Sequence, residues 1–134
     1  PSNLVDSRHR DSGVIGLAPA TNTAVFIRSV FLQGLLLMDE AEIPSHLVDV
    51  IPARRQFAEI AEQSGVSLGE LAIRHTLGIE GVTCVLVGVD SRRQMLANLD
   101  MFHRGSLPGD VQAAVDEIRP CLPERVLTPG LWPG

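Results

Sequence analysis

The sequence predicts an α/β fold built on two parallel strands and their helices. Three observations lead there. Residues 25–29 and 83–87 are short, rich in β-branched residues and almost continuously apolar, the pattern of strands in a parallel sheet buried on both faces. The long stretch between them carries helical periodicity, and more helix follows the second run. Strand, helical crossover, strand and helix in that order form the repeating unit of an α/β protein.

The elements follow in order. The first strand, Val25 to Ile27 with Arg28 and Ser29 as its extension, is followed by the loop Val30, Phe31, Leu32, Gln33, Gly34. Pro52 suits the first turn of a helix; Phe57, Ile60 and Ala61 share its face, and Gly65 stops it. Ser67 and Glu70 then have capping-box spacing, in which each side chain satisfies a free backbone donor of the other. Leu68, Leu71, Ala72 and His75 make the apolar stripe of that helix, and Gly78 and Gly81 flank the turn into the second strand. Gly88 and Asp90 lead into a helix over 91–103, where Ser91 and Gln94 repeat the capping spacing and Met95, Leu99 and Phe102 supply the core face. A last helix over 109–119 presents Val111, Ala114, Val115 and Ile118, and Pro120 and Pro123 end it. The tail from residue 128 is rich in Pro and Gly and holds Trp132. Two parallel strands cannot bury both faces and pair both edges by themselves. The pattern therefore implies that further chain completes the sheet or that a partner does.

Composition narrows the function. The chain has 134 residues, 45% of them hydrophobic, so it is no disordered tail. Its net charge is -5 and its 11 basic residues are all scattered Arg, which argues against nucleic acid. No apolar run approaches the roughly 20 residues of a membrane span, and residue 1 is Pro with no signal peptide after it. Cys84 and Cys121 are far apart and form no CxxC; they read as buried free thiols of a reducing, cytoplasmic setting. There is no Tyr and no Lys, so a mechanism that needs either as proton donor cannot be completed by these residues.

In parallel α/β folds the carboxyl ends of the strands face the site. Two segments occupy that position. In the second, Gly88 lets backbone approach a ligand, the following helix offers free N–H groups to a phosphate, and Arg92 adds a guanidinium. Gln94 and Asn98 share a helical face, from which their amides could read the edge of a base. A capped surface helix with solvated polar residues explains the same pattern. In the first segment Arg28 places a charge at the end of a buried strand, which suits either a structural ion pair or a ligand contact. His9, His46, His75 and His103 show no metal-ligand spacing, and His75 reads as a hydrogen-bonded core residue. Asp39, Glu40 and Glu42 read as a solvated loop.

Together these segments resemble the end of an aldo/keto reductase. Pro1, Ser2, Asn3, Leu4, Val5 and Asp6 resemble the end of the sixth barrel strand and its loop. The run from Phe26 to Leu36 resembles the seventh strand and its cofactor loop, and the run from Leu68 to Leu77 the seventh helix. Val85 through Ser91, with Gln94 and Asn98, resembles the eighth strand and the adenine-side loop. The resemblance implies that residues 1–134 form the C-terminal part of a (β/α)8 TIM barrel that uses NADP, as NADPH, to reduce aldehydes or ketones. Ser29, Phe31, Gln33 and Gly34 would then line the pyrophosphate and nicotinamide side. Gly88, Asp90, Arg92, Gln94 and Asn98 would hold the adenosine and its phosphate. Arg28 stands where the family usually has an aromatic residue that stacks on the nicotinamide, and His75 replaces the usual aromatic of the helix. The family's catalytic Asp, Tyr, Lys and His belong to the first half of the barrel, which becomes the expected partner alongside a small carbonyl substrate. The run from Arg28 to Leu36, with the ending from Pro129 to Pro133, looks most like bacterial members associated with surface-polysaccharide and sugar metabolism. The alternatives are a non-catalytic NADP-binding regulatory barrel and a small α/β interaction module.

Overall fold

The computed structural model describes residues 1–133, with the side chains of residues 10 and 11 left out of the description. Its center is a pair of parallel strands, β1 (Phe26–Ile27) and β2 (Cys84–Val85), in the register Phe26 to Cys84 and Ile27 to Val85. The ladder reaches a little further than the strands: Thr83 N and Cys84 N donate to Val25 O at 2.9 and 3.1 Å, and Leu86 N donates to Ile27 O at 2.7 Å. Both strands are shorter than their apolar runs. At one end Val25 N donates to the Thr83 side-chain oxygen at 3.0 Å. At the other, Ser29 turns to φ 67 and ends extended backbone.

Seven helices accompany the pair among the described residues: α1 (Arg8–Ser12), α2 (Val14–Leu17), α3 (Ile51–Gln63), α4 (Leu68–Leu77), α5 (Arg92–His103), α6 (Gly109–Glu117) and α7 (Glu124–Leu127). The crossover from β1 to β2 runs through α3 and α4, as the periodicity indicates. Ser2 N donates to Arg28 O at 3.0 Å. Successive carbonyls of extended chain point to opposite sides, so the segment at Ser2 lies along the edge of β1 away from β2.

One face of the strand pair is core. Ile27, Val85, Val30, Leu35 and Leu36 belong to one buried cluster with Val50, Phe57, Leu71 and Ile73. Complete burial of a side chain such as Phe57 contributes about 1.5–3 kcal/mol. On the other face Phe26 is 61% and Leu86 49% exposed. The expectation of strands buried on both faces therefore fails within this chain, because no described element lies over that second face.

Helix ends follow local chemistry. Pro52 sits in the first turn of α3, and Gly65 leaves it at φ 67. Ser67 Oγ accepts from Glu70 N at 3.1 Å, but the reciprocal half of the expected capping box is absent. The Glu70 carboxylate is taken instead by Arg74 and Arg104, since a charged donor outcompetes a backbone amide. His75 is buried, with Nε2 hydrogen bonded to Asp116 Oδ1 at 2.9 Å, and so joins α4 to α6 as a core histidine.

Several side chains depart from expectation. Met95 and Leu99, read as core, are 47% and 43% exposed, and Phe102 is half-buried. No described element covers that stripe of α5. α6 ends at Glu117 rather than near residue 119, because Ile118 is already extended. α7 had no sequence signal beyond Pro123, yet it buries Val126 and Leu127. Asp39 and Glu42 are exposed as expected, while Glu40 is partly covered and ion-paired at the surface: Arg55 Nη2 lies 2.7 Å and Arg54 Nη1 3.6 Å from its carboxylate. The hydrogen bond from Arg55 holds the Glu40 carboxyl below its ordinary pKa. Both cysteines are free, but Cys84 is only half-buried and Cys121 is exposed.

Candidate functional site

Two loops leave the carboxyl ends of β1 and β2 and face each other. The loop after β1 is unusual in its backbone. Ser29, Leu32 and Gln33 have φ of 67, 48 and 56°, and Gly34 has φ 85°. Left-handed conformations of non-glycine residues cost of order 1–3 kcal/mol each and persist only where surroundings enforce them. The enforcement is visible. Leu32, Leu35 and Leu36 are buried beneath the loop, and Leu32 N and Leu35 N close turns onto Ser29 O and Leu32 O at 3.0 and 3.1 Å. Asn3 Nδ2 donates to Ser29 O at 3.3 Å at one end. At the other, Arg54 donates to Leu36 O and Met38 O at 3.2 and 2.7 Å. Neither the Asn3 nor the Arg54 contact could be read from sequence, since each joins segments far apart along the chain.

The loop after β2 runs through Gly88 and Asp90 into α5. Ser91 Oγ caps the helix by accepting from Gln94 N at 3.2 Å. Gln94 Oε1 in turn accepts from Asp90 N at 2.7 Å, one residue earlier than the expected capping box. A Cβ on Gly88 would meet nothing within 4 Å, so packing inside the chain does not require glycine there.

Between the two loops is a cleft of about 530 Å³, a size typical of small-molecule sites. Arg28, Ser29, Phe31, Gln33, Gly34, Gly88, Asp90, Gln94 and Asn98 line it, together with Val30, Leu37, Leu86 and Val87. Every predicted site residue but Arg92 is thus brought to one cleft. Arg92 begins α5, is exposed and lies outside the lining. The apolar wall of Leu37, Leu86 and Val87 escaped the sequence reading, because single apolar residues beside a strand look like core.

Two polar members stand out. Asn98 is the one buried residue of α5 among those described, and its amide makes no hydrogen bond within the described residues. Such a group in a cleft has its donors and acceptor available to a ligand. Arg28 is exposed and donates to Ser29 Oγ at 3.3 Å. No described carboxylate forms an ion pair with it. The ion-pair reading of Arg28 therefore has no support in the described residues. Among the described residues no group of three or more His, Cys, Asp or Glu could hold a metal ion, and no helix is long and apolar enough to cross a membrane.

Residues 2–120 match the model of the Aldo/keto reductase family. The chain belongs to that family of oxidoreductases. No curated protein gave a match to it.

Proposed function

We propose that the chain is the cofactor-binding C-terminal part of a (β/α)8 barrel that reduces aldehydes or ketones to alcohols with NADPH. The observation that carries this reading is the cleft, where polar groups from two strand-end loops converge beside an apolar wall. The residues fit a dinucleotide. The Gln94 and Asn98 amides face the cleft one helical turn apart, suited to the edge of a base. Gly88 leaves room for backbone to approach a phosphate near the first turn of α5, where free N–H groups favor anions. Arg92 is the candidate for the 2'-phosphate. Ser29, Phe31, Gln33 and Gly34 take the pyrophosphate and nicotinamide side, and Arg28 can lay its planar guanidinium against the ring or the substrate.

When bound, a nicotinamide cofactor supplies the reducing equivalents. The described side chains orient it and exclude water with the wall of Leu37, Leu86 and Val87. Reducing a carbonyl leaves an alkoxide, which needs a positioned proton donor. With no Tyr and no Lys in the sequence, that donor belongs to the first half of the barrel. The exposed face of Phe26 and Leu86 suits the same partner.

The test is NADPH titration of the full gene product and its Asn98→Ala variant by nucleotide fluorescence. Loss of one neutral hydrogen bond weakens binding by about 0.5–1.5 kcal/mol, or roughly 2- to 12-fold. Unchanged affinity would remove Asn98 from the site, and no binding by the parent protein would overturn the reading.

A further inference from the structure

We propose that Glu70, a residue of α4 outside the cleft, is the positioning residue that sets α5, and with it Gln94 and Asn98, against the nucleotide; this rests on the cofactor reading above. Residues 92–97 are all exposed and only Asn98 is buried, so apolar packing does not fix the cleft end of the helix. Met101 and Phe102, at the other end, are only half-buried. The charged contacts between α5 and α4 lie at that far end, and Glu70 joins the two arginines that make them.

Glu70 is buried, its side chain only 7% exposed, and both of its oxygens are used. Oε1 accepts from Arg74 Nη1 at 2.8 Å and Oε2 from Arg104 Nη1 at 3.0 Å. Arg104 is aimed by its second bond, to Asp100 Oδ2 at 2.6 Å, one turn back along α5. Arg74 continues to the carbonyls of Gly105 and Ser106, each at 3.0 Å, and so grips the chain just beyond the helix. A carboxylate withdrawn from water needs its partners, because leaving either oxygen unpaired costs its full desolvation. Arg104, half-exposed and also held by Asp100 of its own helix, is thereby tied to α4. Asn98 lies six residues from Arg104, roughly 9 Å along the axis at 1.5 Å per residue. A tilt of α5 about the clamp therefore displaces Asn98 and Gln94 more than any residue near the clamp.

Glu70→Gln preserves size but presents a donor to one of the two arginines. Arg104→Met removes the α5 arm together with its bond to Asp100 and leaves the Arg74 to Glu70 pair intact, which keeps the proposal testable if Glu70→Gln folds poorly; Asp100→Asn, which weakens only the bond within α5, is the control and should leave α5 exchange nearly unchanged. Two measurements on the full gene product decide it: amide hydrogen exchange without ligand, and NADPH affinity with Asn98 or Ala at position 98. In Glu70→Gln and Arg104→Met the amides of α5 should exchange faster by about tenfold, as expected for losing a charge-assisted bond, while those of α3 stay unchanged. NADPH affinity should fall several-fold with Asn98 present and much less in the Asn98→Ala background. Unchanged α5 exchange would overturn the proposal. Equal acceleration in α3 and α5 would overturn it too, by making Glu70 a general stability residue. Additive losses of affinity with Asn98→Ala would show that Glu70 does not act through Asn98, and would likewise overturn it. If the parent protein binds no NADPH, the cofactor reading falls, and the exchange data alone then decide whether Glu70 clamps α5.

Discussion

The backbone N–H of Asp90 donates to Gln94 Oε1 at 2.7 Å, so one side chain both closes the loop before α5 and faces the cleft. The carbonyl oxygen is spent on the loop; the amide NH2 is what remains for a ligand. Gln94→Glu separates the two roles, since a carboxylate still accepts from Asp90 N but repels an anion. Stability should change by no more than about 0.5 kcal/mol, and NADPH binding should weaken, more so at low salt. A variant that binds NADPH as the parent does would leave Gln94 as a cap only.

Arg92 lies outside the cleft lining, at the exposed first turn of α5. If its guanidinium reaches over to a 2'-phosphate, Arg92→Ala should cost about 1.5–3 kcal/mol of NADPH binding and leave NADH binding unchanged. Paired titrations with both nucleotides check this. Equal weakening of the two, or none, would remove Arg92 from that role.

Arg28 is exposed and, among the described residues, its side chain donates to Ser29 Oγ of its own neighbor at 3.3 Å. Little stability depends on it. Arg28→Leu should lower the turnover of the full gene product while its melting temperature barely moves. A large drop in melting temperature with unchanged turnover per folded molecule would assign Arg28 to structure instead.

The sequence was most legible where a local signal has a local cause. Pro52, Gly65 and Ser67 mark helix ends through their own backbone or side-chain bonds, and the structure puts those ends where these residues stand. Parallel pairing of β1 and β2 followed from apolar runs joined by a helical crossover. The failures come from contacts between distant segments. Met95 and Leu99 have the spacing of a buried stripe, but spacing does not say whether anything lies against it. Glu70 has the position of a capping residue, yet Arg104, far along the chain, competes for its carboxylate. At the cleft Arg28, Gly88, Gln94 and Asn98 were legible from type and position, whereas Ser29, Gln33 and Asp90 came only from the family resemblance. Leu37 and Leu86 were legible from neither, because an apolar side chain lining a site and one filling a core read alike.

If these residues hold the nucleotide while the proton donor lies elsewhere, residues 1–134 expressed alone should not reduce a carbonyl. The strand pair has an uncovered apolar face with Phe26 61% exposed, which invites aggregation or a molten state. With neither Tyr nor Lys available, protonation of the alkoxide has no family-type donor in these residues. NADPH oxidation should be followed with simple aldehydes, alongside thermal unfolding, for the chain alone and after mixing with the N-terminal half of the barrel. The chain alone should show background turnover and no cooperative monomeric melt, and the mixture should show both turnover and a cooperative melt. Aldehyde-dependent turnover above background by residues 1–134 would overturn the placing of the proton donor elsewhere, and a cooperative monomeric melt would overturn their being part of a larger barrel.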